Sequence, residues 1–133
     1  MLKRKLSNGD VVNISIAEES GGVTLAIARQ RYNPATYSLD AGLSMAITLN
    51  PVKVAELIEG LGTNYCRIDS EDGCRLTFSS LGSTNSHIEL RQDTVALQFW
   101  LRKYEISFIR RALENLATSM MAPFKWCGVP EEL

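Results

Sequence analysis

Short runs of alternating apolar and polar residues fill most of this chain, and a period of two is what an antiparallel sheet with one buried face requires. Before residue 50 the runs are Val11 to Glu18, Val23 to Tyr32, Thr36 to Leu39 and Leu43 to Leu49. Ser20-Gly21-Gly22, Asn33-Pro34 and Asp40-Ala41-Gly42 separate them with turn-forming residues. Asn50 then offers an N-cap oxygen, Pro51 suits the first helical position, and Gly60 and Gly62 can end a helix spanning Pro51 to Leu61.

The plan then recurs. Strands are predicted near Asn64 to Ser70, Cys74 to Leu81, Ser86 to Gln92 and Thr94 to Arg102, followed by a helix from Lys103 to Met121. An offset of about 52 residues places Ile14 on Cys66, Ile47 on Phe99, Leu49 on Leu101 and Leu57 on Ile109, the signature of an internal repeat. The expected fold is α+β: two ββββα repeats whose curved antiparallel sheets pack against helices. At 133 residues it forms one domain, with repeat one about 11–62, repeat two about 63–121 and a C-terminal extension at 122–133.

Because neighbouring side chains in a strand point to opposite faces, each sheet face can be read off by parity. In repeat two Cys66, Ile68, Leu76, Phe78, Ile88, Leu90, Val95, Leu97, Phe99 and Leu101 make the apolar face. The loop Glu71-Asp72-Gly73, with Gly73 left-handed, would pair Ile68 with Leu76 and Cys66 with Phe78. The other face presents Tyr65, Arg67, Arg75, His87, Glu89, Arg91, Gln98, Trp100 and Arg102, basic and aromatic with one carboxylate. In repeat one Arg29 and Arg31 continue the parity of core-facing Val23, Leu25 and Ile27. That requires either a bulge or a strand that overruns the core as a solvent-exposed hairpin arm carrying Arg29, Arg31, Tyr32 and Tyr37.

Composition excludes several classes. With 45% hydrophobic and 22% charged residues the chain resembles an ordinary globular domain, and no apolar run approaches the ~20 residues of a membrane span. Lys3, Arg4 and Lys5 lack a following apolar segment, so they read as a mobile basic arm and not an export signal. The three cysteines lack C-x-x-C spacing and argue against both a disulfide framework and zinc, which fits a reducing compartment. His87 is the only histidine, and no Ser-His-Asp, Cys-His, metalloprotease or Walker pattern occurs. No enzyme, cofactor or metal is expected.

A net charge of -1 gives no case for nucleic acid over the molecule as a whole, so the distribution of charge decides. Arginines beside exposed aromatic rings suit single strands, since cations neutralise phosphates while π-faces stack bases without reading them. The candidate contacts are Arg29, Arg31, Tyr32, Tyr37, Tyr65, Arg67, Arg75, His87, Arg91, Trp100 and Arg102. The competing reading is a protein-interaction or assembly module that uses the same face, and the near-zero charge favours it.

The stretch from Val23 to Tyr32, then Ser44 to Pro51 leading into Val54, Leu57 and Leu61, resembles the Whirly and positive-cofactor-4 families of single-stranded-DNA-binding proteins. The resemblance implies a long hairpin followed by a strand running into a capped helix, and sheets often completed by homo-oligomerisation. It also implies strand surfaces that hold single-stranded DNA with low sequence specificity, in replication, recombination or transcription. RNA is the alternative ligand, because Pur repeats share the ββββα plan. A cytoplasmic or nucleoid-associated protein is expected, and a phage origin suits its size. Glu131, Glu132 and the last carboxylate form an acidic end suited to recruiting a protein partner.

Overall fold

The alternating runs become strands and the two spaced apolar stripes become helices in the computed structural model, which describes residues 2–19, 21–81 and 84–128. In chain order these are β1 (Leu2–Lys5), β2 (Val11–Glu19), β3 (Gly22–Asn33), β4 (Ser38–Asp40), β5 (Ser44–Leu49), α1 (Pro51–Gly60), β6 (Tyr65–Asp69), β7 (Cys74–Leu81), β8 (Asn85–Gln92), β9 (Val95–Arg102) and α2 (Lys103–Gly128). The class is α+β, two antiparallel sheets each followed by a helix.

The first sheet runs β1-β2-β3, and the free side of long β3 is shared, by β5 over Val23 to Ala28 and by β4 over Arg31 to Asn33. The second sheet runs β6-β7-β8-β9. Its register pairs Ile68 with Leu76 and Cys66 with Phe78, with Gly73 at φ 90° in the connecting loop, as the parity argument requires. Cys66 and Cys74 are free and buried, and lie opposite Phe78 and Gln92. Burial pushes both thiols up in pKa.

Both sheets turn their apolar faces to the helices and to one shared core. Ile14, Leu25 and Ile27 from the first sheet meet Leu76 and Ile88 from the second around Leu57, Leu61 and Ile109. Asn50 caps α1 by accepting the Lys53 amide on Oδ1 at 2.9 Å. At the far end of α1, Gly60 lies so close to β6 that a Cβ there would fall 2.1 Å from Cys66 Sγ.

Several expectations are corrected. Lys3, Arg4 and Lys5 do not form a mobile arm: they belong to β1, which pairs with β2 from Leu2 opposite Ile14 to Lys5 opposite Val11. The polar Asn8-Gly9-Asp10 lies in the β1–β2 turn, with Gly9 at φ 95°. Arg4 Nη1 bonds Glu105 Oε1 at 2.9 Å, and Glu105, only 3% exposed, also accepts the Arg102 amide at the start of α2.

α2 continues past Met121 and through Pro123, so residues 122–128 extend the helix. Proline's fixed φ is compatible with a helix, so Pro123 disfavours the helix through its missing amide donor and its ring without excluding it. The acidic end at 131–133 lies outside the described residues. α2 buries Ile106, Ile109 and Leu113, whereas Phe108 is 49% exposed. Val95 is exposed too, because it sits opposite Gln92 at the end of the last hairpin, beyond the helix cover. Among the described residues no helix is long and apolar enough to cross a membrane.

Candidate functional site

Unbroken pairing across β6 to β9 sorts the outward side chains of the second sheet into cross-strand rows. Tyr65, Ser79, His87 and Trp100 form one row; Arg67, Thr77, Glu89 and Gln98 the next; Asp69, Arg75, Arg91 and Ala96 the third. Arg102 lies opposite Asn85, beyond the first row. Of the expected contacts, Tyr65, Arg67, Arg75, His87, Arg91, Trp100 and Arg102 therefore share one surface.

The first row is aromatic at both ends, with Tyr65 59% and Trp100 47% exposed. Neighbouring strands are ~4.8 Å apart, so these residues stand about 14 Å apart across the sheet. His87 lies between them, its ring centroid 5.0 Å from that of Trp100 at an interplanar angle of 59°, and its Nε2 is 3.1 Å from Gln98 Oε1. Exposed rings are costly on a face that only meets water, and they offer flat surfaces for stacking.

The arginines are held by carboxylates. Asp69 bonds Arg67 and Arg75, and Glu89 accepts from Arg91 at 2.7 Å. Asp69 shares the parity of Tyr65 and Arg67, but as the last residue of β6 it was missed in the parity reading, so the face carries two carboxylates and not one. Four arginines against two carboxylates leave it cationic in a chain that is slightly acidic overall. Hydrogen bonding from Arg75, and after it Arg67, holds the Asp69 carboxyl below its ordinary pKa.

Arg29 and Arg31 lie elsewhere. β2 and β3 pair without a bulge, so β3 overruns the core, yet Arg29 is not out in solvent. Its Nε and Nη2 bond Asp10 Oδ2 at 3.0 and 2.9 Å, while Asp10 Oδ1 accepts the Tyr32 amide at 2.9 Å. The Tyr32 amide first, and Arg29 next, hold the Asp10 carboxyl below its ordinary value. Arg29, Arg31 and Tyr32 line a cleft of about 540 Å³ with Asp10, Leu43 and Gln98, between the hairpin arm and β9. The Tyr32 ring packs over Gly9, and Tyr37, 83% exposed with φ 53°, sits at the arm's tip. The arm is thus a second surface beside the first, joined to it at Gln98.

The first sheet's outer face is chemically different, with Asn13, Ser15, Ala26, Ala28, Ser44 and Ala46 around a shallow, mostly apolar groove. Among the described residues no three of His, Cys, Asp and Glu are grouped to hold a metal ion.

No protein-family model and no curated protein matches the chain. Solved structures do match. The MRP1/MRP2 structure from Trypanosoma brucei aligns over 93% of this chain and 86% of its own, with a TM-score of 0.65 and 12% identity. WHY1 from Arabidopsis thaliana aligns over 98% and 96%, with a TM-score of 0.56 and 9% identity. The fold is the Whirly fold. The plant transcriptional regulator PBF-2 agrees, at 91% and 90% coverage, a TM-score of 0.53 and 11% identity.

Proposed function

We propose that this Whirly-fold protein binds single-stranded nucleic acid, DNA foremost, on the outer face of its second sheet, with little base preference. The observation that carries the reading is the exposed Tyr65 and Trp100 row flanked by Arg67, Arg75, Arg91 and Arg102 on one uninterrupted surface. Rings that stack any base beside cations that meet any phosphate make a sequence-tolerant site. The arm residues Arg29, Arg31, Tyr32 and Tyr37 extend that path beyond Gln98. Binding of this kind serves DNA replication, recombination or transcription, the last being the field of PBF-2. The reading is of a binding protein in the cytoplasm or nucleoid, with no catalytic step and no cofactor.

A second reading, self-association, is favoured by the uncharged groove of the first sheet and by exposed Tyr104 and Phe108 on α2. Light scattering over a concentration series measures it.

Titration with labelled single-stranded DNA, duplex DNA and RNA of equal length, from low to moderate salt, tests the main reading. Single-stranded DNA is expected to bind tightest, with affinity falling steeply as salt rises, because phosphate neutralisation releases condensed counterions. Absence of binding at low salt, or a flat salt response, would remove the sheet face as a phosphate surface.

A further inference from the structure

Two arginines on neighbouring strands bond one carboxylate through the same atom. Arg67 Nε donates to Asp69 Oδ2 at 3.1 Å, and Arg75 Nε donates to Asp69 Oδ1 at 3.0 Å. Among the described residues, Nε is the only atom of either guanidinium in a side-chain hydrogen bond, so both Nη nitrogens of each group stay available. The register produces this arrangement: Asp69 lies directly across from Arg75, and Arg67 precedes Asp69 by two residues on the same face. Arg75 in turn lies directly opposite Arg91, whose Nη2 donates to Glu89 Oε2 at 2.7 Å, so the two like charges are held side by side by carboxylates on either flank.

We infer that Arg67, Arg75 and Arg91 form a seat for a backbone phosphate and that Asp69 is its positioning residue. The inference rests on the reading of this face as the strand-binding surface. Asp69 holds two long side chains side by side before the ligand arrives, so part of their rotamer entropy is lost on folding and not on binding. Guanidinium nitrogens presented in this way match phosphate oxygens with charge-assisted hydrogen bonds.

A carboxylate beside a phosphate also repels it, so simple charge predicts the opposite effect of its removal, and the sign of the change is decisive. Asp69→Asn is expected to weaken binding of a 20-nucleotide oligothymidine by about three- to tenfold, the scale of one ordinary hydrogen bond. It is also expected to shrink the slope of log affinity against log salt, because fewer phosphates are engaged. Thermal unfolding of the variant checks that the fold is kept. In the unliganded protein, the 15Nε signals of Arg67 and Arg75 should move together as Asp69 is titrated with acid, and this response should vanish in Asp69→Asn.

If the wild type binds and Asp69→Asn binds equally or more tightly, the seat is wrong while the function stands. If the two arginine signals do not respond to Asp69, the brace is wrong whatever the affinities. If the wild type binds no single strand, the function itself is overturned and the seat with it.

Discussion

Trp100 and Asp10 carry opposite kinds of consequence. Trp100 is half exposed and supports no core contact that its removal would empty, so Trp100→Ala is expected to leave the unfolding midpoint nearly unchanged. The same change should weaken single-strand binding roughly tenfold, within the range of one base–aromatic stack. Paired melting and titration experiments separate the two effects. Asp10 ties the β1–β2 turn to β3, and its carboxyl has a folded pKa below its ordinary value of 3.8. Its contribution is therefore full above that value and lost as pH falls through the lower folded pKa. Acid unfolding below about pH 4 should be shallower in Asp10→Asn, which lacks the titrating group; identical acid profiles would remove Asp10 from the linkage. The counter-charge of Arg29 is Asp10, in the turn before β2, and parity along β3 says nothing of what that turn brings over the strand.

At the scale of elements, β1 and α2 support each other through Arg4 and Glu105. Glu105→Ala is expected to cost about 2–3 kcal/mol in urea unfolding, since it leaves a largely buried arginine without its partner and the Arg102 amide without its acceptor. A loss below about 0.5 kcal/mol would mean that β1 docks without the pair. The second sheet was legible strand by strand, because its alternation is unbroken and the Glu71-Asp72-Gly73 loop sets its register. β1 was not: three consecutive basic residues mask the single period of alternation that Leu2 and Arg4 supply, and the partner that buries Arg4 is 101 residues away. Helical spacing identifies the apolar stripe of α2 without fixing its rotation, so it does not tell that Phe108 stays exposed. The contacts of Ile106, Ile109 and Leu113 with the sheets fix it.

For the whole molecule, the duplication is clear in architecture and has diverged in chemistry. One repeat has an outer face of small neutral residues at its centre with Lys3 and Lys5 on its β1 edge, and the other carries rings and arginines, a difference visible in the sequence only after strand parity is assigned. Because the two halves bury one common core, neither is expected to fold alone. Urea unfolding followed by tryptophan fluorescence and by far-ultraviolet circular dichroism should therefore give coincident transitions. Two separated transitions would show that each repeat holds its own core. The bulge-free pairing of β6 to β9 also bears on how such a protein drifts over time. A substitution on either face alters one position, but a single inserted residue within a strand would turn every later side chain of that strand inside out. Almost every letter of such a chain can thus be exchanged while a shift by one place inverts a strand, so identities of 9–12% are compatible with one shared fold.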